Sequence, residues 1–244
     1  MKTYKLPFLL LIFLQFSCNS QVKKINGLSF VASRDTIDSK HINPALKTNS
    51  NYVALMPYSF IRNIEIPKIE FNTNREYILT YAKAATELNA EILCIGTELE
   101  DFVMNRPIYW QELIKEIKEV YKGKLTYAAN WDEFKRIPFW GELDFIGIDA
   151  YFPLSEKKSP TIQDFENGWK PHKEDIIKIQ KKYNKPVMFT EFGYRSIDFT
   201  GKQPWDSNRV EGSLNLQAQA DALQAIHNQF WKEDWFAGGF IWKW

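Results

Sequence analysis

Residues 185–196 read KPVMFTEFGYRS, and they decide the fold class. Val187, Met188 and Phe189 are consecutive apolar residues that suit a strand covered on both faces. Glu191 follows directly, and Gly193 marks the point where the chain turns. A buried strand that delivers a carboxylate at its last position does so either to solvent or to a pocket.

The same grammar repeats outward in both directions. GLSFVA (27–32), YVALMP (52–57), EILCIG (91–96), KLTYAAN (124–130), LDFIGIDAY (143–151), PVMFTE (186–191) and AGGFIWKW (237–244) all read as strands. Between them lie helical patterns at 74–90, 108–123 with Gly123 as stop, 163–183 and 215–231, and a short helix near WDEFKRI (131–137). Strands alternating with helices imply βαβ units and a parallel sheet. The expected class is α/β, a TIM (β/α)8-type barrel that is incomplete, with about seven recognisable strands.

The chain has 244 residues, enough for one large domain. Its 31 Lys and Arg balance 30 Asp and Glu, which gives no electrostatic reason to expect nucleic acid as partner. Aromatics make up 16% of the residues, a content that serves either a packed core or a sugar-binding cleft. The amino terminus has a basic start (Lys2, Lys5) and an apolar run, LPFLLLIFLQF, too short for a comfortable membrane span. Cys18 follows in FSCNSQ, as in a bacterial lipoprotein signal, although Gln15 stands where an aliphatic residue is usual. The expected organisation is a signal peptide over 1–18, a tether over 19–25 and one domain over 26–244. The expected location is the periplasm or outer membrane of a Gram-negative bacterium, or else outside the cell. Membrane contact would come only through lipidated Cys18, and the domain is expected to be monomeric. The other cysteine, Cys94, lies in an apolar run and reads as a small buried hydrophobe; no disulfide framework exists. His41, His172 and His227 are far apart, so no metal-ligand spacing and no cofactor are implied.

In a barrel of this type the active site lies at the carboxyl ends of the strands. Those ends carry acids and aromatics: Glu98 and Glu100, Asn130 and Trp131, Asp149 and Tyr151, Glu191, Trp242 and Trp244. Two carboxylates flanking an acetal suffice to cleave a glycosidic bond, one protonating the leaving oxygen and one attacking the anomeric carbon. Acids at strand ends are common, so this pattern alone is of moderate specificity.

Five segments in order sharpen it: CIGTELEDFV, GKLTYAANWDEF, FWGELDFIGIDAYFPLS, KPVMFTEFGYRS and GGFIWKW. They resemble the motifs of glycoside hydrolase family 113, whose characterised members are retaining β-mannanases, over residues 25–60 and 70–244. The resemblance implies Glu98 as general acid/base and Glu191 as nucleophile, with a Tyr151 hydroxyl bonding the nucleophile. It places Asn130, Trp131, Asp149, Tyr151, Tyr194, Trp205, Trp242 and Trp244 in the cleft. It implies an oligo- or polysaccharide substrate, β-mannan or another β-1,4-glycan. The sequence departs from the family in one segment. A helix and strand expected before the helix that leads to CIGTELE are missing, and residues 58–91 leave room for one helix only; KIEF (68–71) is a weak substitute. Omitting a strand leaves two sheet edges. That keeps a second reading open, a non-catalytic glycan-binding protein on a degenerate barrel.

Overall fold

The computed structural model describes residues 23–31, 43–44, 47–56, 71–206 and 212–242. In chain order the elements are β1 (Ile25–Val31), β2 (Tyr52–Met56), α1 (Phe71–Glu87), β3 (Ile92–Thr97), α2 (Glu100–Asn105), α3 (Pro107–Val120), β4 (Lys124–Asn130), β5 (Ile146–Asp149), α4 (Ile162–Tyr183), β6 (Val187–Phe192), α5 (Leu216–Phe230) and β7 (Phe236–Ile241). The strands form one sheet in the order β2-β1-β7-β6-β5-β4-β3, with every ladder parallel. Because β1 pairs with β7, the sheet curls as a barrel does. It stops short of closure: β2 and β3, neighbours along the chain, are its two edges. The result is a curled half-barrel, open where the sequence lacks a strand. KIEF lies almost wholly outside the described residues; its last residue, Phe71, begins α1.

Strand side chains alternate between the two faces. On β6, Val187 and Phe189 point to the helices and belong to the main core, while Met188 points inward. Met188, Ile25 and Phe240, with Tyr52, Ala54 and Ile92 against them, fill the inside of the sheet. Gly27 makes room there: a Cβ would lie 2.1 Å from the Phe240 ring. The helix side is aromatic. Trp169 of α4 stacks on Phe189 (centroids 5.9 Å apart, planes at 14°) and meets Phe230 of α5 edge-on. Trp110 of α3 stacks on Phe139, and the indole of fully buried Trp140 donates to the Phe134 carbonyl at 2.8 Å. Much of the aromatic content is therefore core.

Local signals explain the helix ends. Thr161 and Asp164 form a capping box at the start of α4, and Asn184 ends that helix in the left-handed conformation. Pro107 opens α3 at a position where its missing N–H costs nothing. One expectation fails, and one element is new. Residues 131–136 form successive turns instead of a helix, anchored by the Asn130 carbonyl, which accepts from the Glu133 and Phe134 amides. Residues 100–105 form a short helix, α2, not foreseen from the sequence.

Replacing Trp169 with Ala should cost about 3–5 kcal/mol, the usual range for deleting a buried Trp. Urea denaturation of both proteins would measure it, and a loss below 1 kcal/mol would mean that α4 is not held to β6 through this ring.

Candidate active site

The carboxyl ends of β3 to β7 share one rim, and its chemistry is carried by carboxylates. On β6 strict alternation would send Glu191 to the same face as Phe189. The register prevents this: Ile148 faces Phe189, but the next β5 residue, Asp149, faces Glu191. The extra residue is a bulge, a device that re-aims a side chain. Glu191 is half-buried, and its Oε2 accepts a hydrogen bond from the Tyr151 hydroxyl at 2.9 Å. Beside it, Thr190 Oγ1 donates to Asp149 Oδ1 at 2.7 Å.

Asp149 is 1% exposed, and its Oδ2 has no partner among the described residues. Burial, then the charge of Glu191, raise its carboxyl well above the ordinary range; the Thr190 bond opposes them, and Glu98 and Glu133 add. A buried carboxyl beside a like charge is pushed towards its neutral form. Asp149 is therefore biased towards the protonated form beside Glu191. Burial first, then the charge of Glu191, also raises the Tyr151 phenol, so it stays a donor.

Glu98 lies one residue past the end of β3, with a left-handed backbone, φ 50°. A non-glycine residue pays about 1–2 kcal/mol for that conformation. Its amide donates to the Ala128 carbonyl at 2.8 Å. The residue is exposed overall, and partial desolvation of its carboxyl, with the charge of Asp132 adding, raises it above the ordinary value. The charges of both Glu98 and Glu191 act on Asp149 and Tyr151. Among the described residues no three His, Cys, Asp or Glu side chains gather as a metal site.

The sequence profile of Glycoside Hydrolase Family 113 matches residues 62–244. The chain belongs to this family. It is a glycoside hydrolase. A solved GH113 β-1,4-mannanase complex superposes with TM-score 0.63 at 24% identity, covering 84% of this chain and 67% of that one. The GH113 β-mannanase from Alicyclobacillus acidocaldarius, in complex with ManMIm, gives 0.63 at 22%, covering 88% and 70%. A Faecalibacterium prausnitzii β-glucuronidase shares the fold at TM-score 0.65 and 15% identity, covering 90% of this chain and 42% of that one. No curated protein matches the chain.

The family 113 chain distributes the remaining expected cleft residues unevenly. Trp131 and Trp205 stack on each other, centroids 5.1 Å apart, and Trp205 keeps 40% of its surface exposed. Trp131 also borders a hollow of about 260 Å³ shared with Phe152, His172 and Asp175. Asn130 Oδ1 is occupied by the Trp131 amide at 2.7 Å, so this side chain shapes the turn. Trp242 is half-buried at the rim, its amide bonded to the Phe192 carbonyl at 2.8 Å. Gly193 permits that approach, since a Cβ would stand 1.8 Å from the Trp242 carbonyl oxygen.

Two expectations are corrected. Tyr194 is not a cleft residue: it is 1% exposed, packs against Phe165, and its hydroxyl finds no partner among the described residues. Directly after Gly193 the chain has already turned back into the core. Cys94 is not buried: it is exposed, its thiol directed to the Gly96 carbonyl at 3.2 Å, on a strand with no neighbour on its far side among the described residues. Trp244 and Cys18 lie outside the described residues. Sequence reasoning missed Tyr127 and Glu133, whose roles depend on contacts between loops; the acid pair in WDEF was the available signal.

The raised Asp149 carboxyl fixes the sign of a pH effect. Below about pH 4, folded and unfolded chains both hold its proton. As pH rises the unfolded chain releases it first, so stability falls with pH until the folded group itself titrates. Asp149→Asn has no proton to release. Its stability relative to wild type should therefore grow from pH 4 towards neutrality in denaturant titrations; a flat difference would mean that Asp149 is not held neutral.

Proposed function

We propose that the protein hydrolyses β-mannan or a related β-linked glycan with retention of configuration, Glu191 acting as nucleophile and Glu98 as general acid/base. The hydrogen bond from Tyr151 to Glu191, beside an Asp149 biased towards its protonated form, carries this reading: it holds one carboxylate charged and oriented. Glu98 is biased the opposite way, towards the protonated form. Two carboxyl groups pushed apart in protonation are what acid and nucleophile roles need.

In the first step Glu191 attacks the anomeric carbon while the Glu98 proton passes to the departing glycosidic oxygen. In the second, Glu98, now a carboxylate, takes a proton from water as that water attacks the same carbon and releases Glu191. Exposed Trp205, braced by Trp131, offers an indole face for a sugar ring. Residues 1–18 would export the protein, and lipidation of Cys18 would hold it at the membrane.

The open edge at β3 supports a second reading, glycan binding without turnover, because among the described residues no strand flanks Glu98 on the β2 side. Incubation with manno-oligosaccharides decides between them. Hydrolysis with the β-anomer appearing first in proton NMR, abolished in Glu191→Gln, is the expected result. Binding with no product would favour the second reading, and equal activity in both proteins would remove Glu191 from its role.

The acid role also predicts a pH shift. kcat/KM should fall on the alkaline side as Glu98 loses its proton, at a pH above the usual Glu value of about 4.3. Asp132→Asn, which deletes a charge that raises Glu98, should move that limb to lower pH. An unmoved limb would assign it to another group.

A further inference from the structure

Glu98 directly follows an edge strand, and among the described residues no strand flanks it on the β2 side. What steadies it lies on the β4 side. Tyr127 of β4 is completely buried, and its hydroxyl is used twice. It accepts from the Leu99 amide, the residue after Glu98, at 2.6 Å, and it donates to Glu133 Oε1 at 3.1 Å. Glu133 is 3% exposed and sits in the turns that follow β4. Its own amide donates to the Asn130 carbonyl at 3.0 Å. At the rim an ion pair between Arg136 and Glu100 joins the same two loops. The Leu99 carbonyl then accepts from Val103 and starts α2.

We infer that the buried Tyr127–Glu133 pair is a positioning device for Glu98, taking over the lateral support that a neighbouring strand would otherwise give. The inference rests on the acid/base role proposed for Glu98. The geometry is specific. Glu98 has a strained backbone and is fixed by its own amide on Ala128 and by the next amide on Tyr127. Removing the second tie frees the peptide that orients the side chain. A displacement of 1 Å at a catalytic group can cost on the order of 100-fold in rate. Burial raises the Glu133 carboxyl to about 7, so near neutrality it spends much of its time protonated and an amide replaces it well. Neither residue touches the reacting atoms in this scheme; both act through Glu98.

Three variants test this: Tyr127→Phe, Glu133→Ala and Glu133→Gln, in the full chain. Amide exchange of Leu99 reads the tie directly. It should speed up at least tenfold in Tyr127→Phe, with β4 amides keeping their protection. An unchanged Leu99 rate overturns the inference. Activity reads the consequence, because a misplaced acid hurts substrates with poor leaving groups and spares activated ones. Hydrolysis of manno-oligosaccharides should fall about 10- to 100-fold in Tyr127→Phe and Glu133→Ala. Release of dinitrophenol from its β-mannoside in the first step should change less than about threefold, the activated leaving group needing little acid help. Glu133→Gln should stay near wild type on both. Equal losses on both substrates would mark a general structural role and overturn the positioning claim. If wild type releases product from neither, the hydrolase reading of the site fails, and Leu99 exchange still decides whether the tie exists.

Discussion

The parallel ladder between β1 and β7 is the constraint on which the rest of the molecule depends. It pairs Ile25 with Gly238 and Leu28 with Ile241, residues from opposite ends of the described chain. Without it β1 and β2 would separate from the five strands β7 to β3. With it the sheet curls, one face becomes concave, and the carboxyl ends of the strands converge on a rim. Gly27 is part of this constraint, since the Phe240 ring occupies the space of a β1 side chain and fills the concave face. Apolar filling below leaves the rim as the place where polar side chains can gather.

The same curl has an open side. β2 and β3 end the sheet, and the effects on β3 are visible residue by residue. Cys94, which would face a packed interior in a closed barrel, is exposed. Glu98 stands in a left-handed conformation with its hydrogen bonds directed to β4. The buried Tyr127 hydroxyl, bridging the Leu99 amide and Glu133, shows how a one-sided strand end can still be held: support comes from the loop of the next strand.

The two catalytic candidates share a structural antecedent. Each follows an irregular register, between Cys94 and Thr97 on β3 and between Ile148 and Asp149 on the β5–β6 ladder. Strict period-two alternation would fix which face each acid takes, and one extra residue changes that. Their electrostatic difference also comes from surroundings, not from residue type. Both are glutamates, but one stands beside a carboxyl biased towards its protonated form and under a phenol that donates, and the other beside the negative charge of Asp132.

The amino-acid sequence by itself determined the alternation of apolar strands with amphipathic helices, the parallel sheet, the shortage of one strand and the strand-end positions of Glu98 and Glu191. These are legible because strand and helix periods, caps and turn residues act over a few neighbours. Tertiary structure alone decided that Tyr194 turns into the core, that Cys94 is exposed, that residues 131–136 are turns, and that Tyr127 and Glu133 hold the Glu98 loop. Each of these depends on what lies across from the residue: the helix packed against it, the strand absent beside it, the hydroxyl within bonding distance. A bulge that re-aims Glu191 is likewise invisible in KPVMFTEFGYRS, because register is a property of two strands, and a sequence read alone shows one at a time.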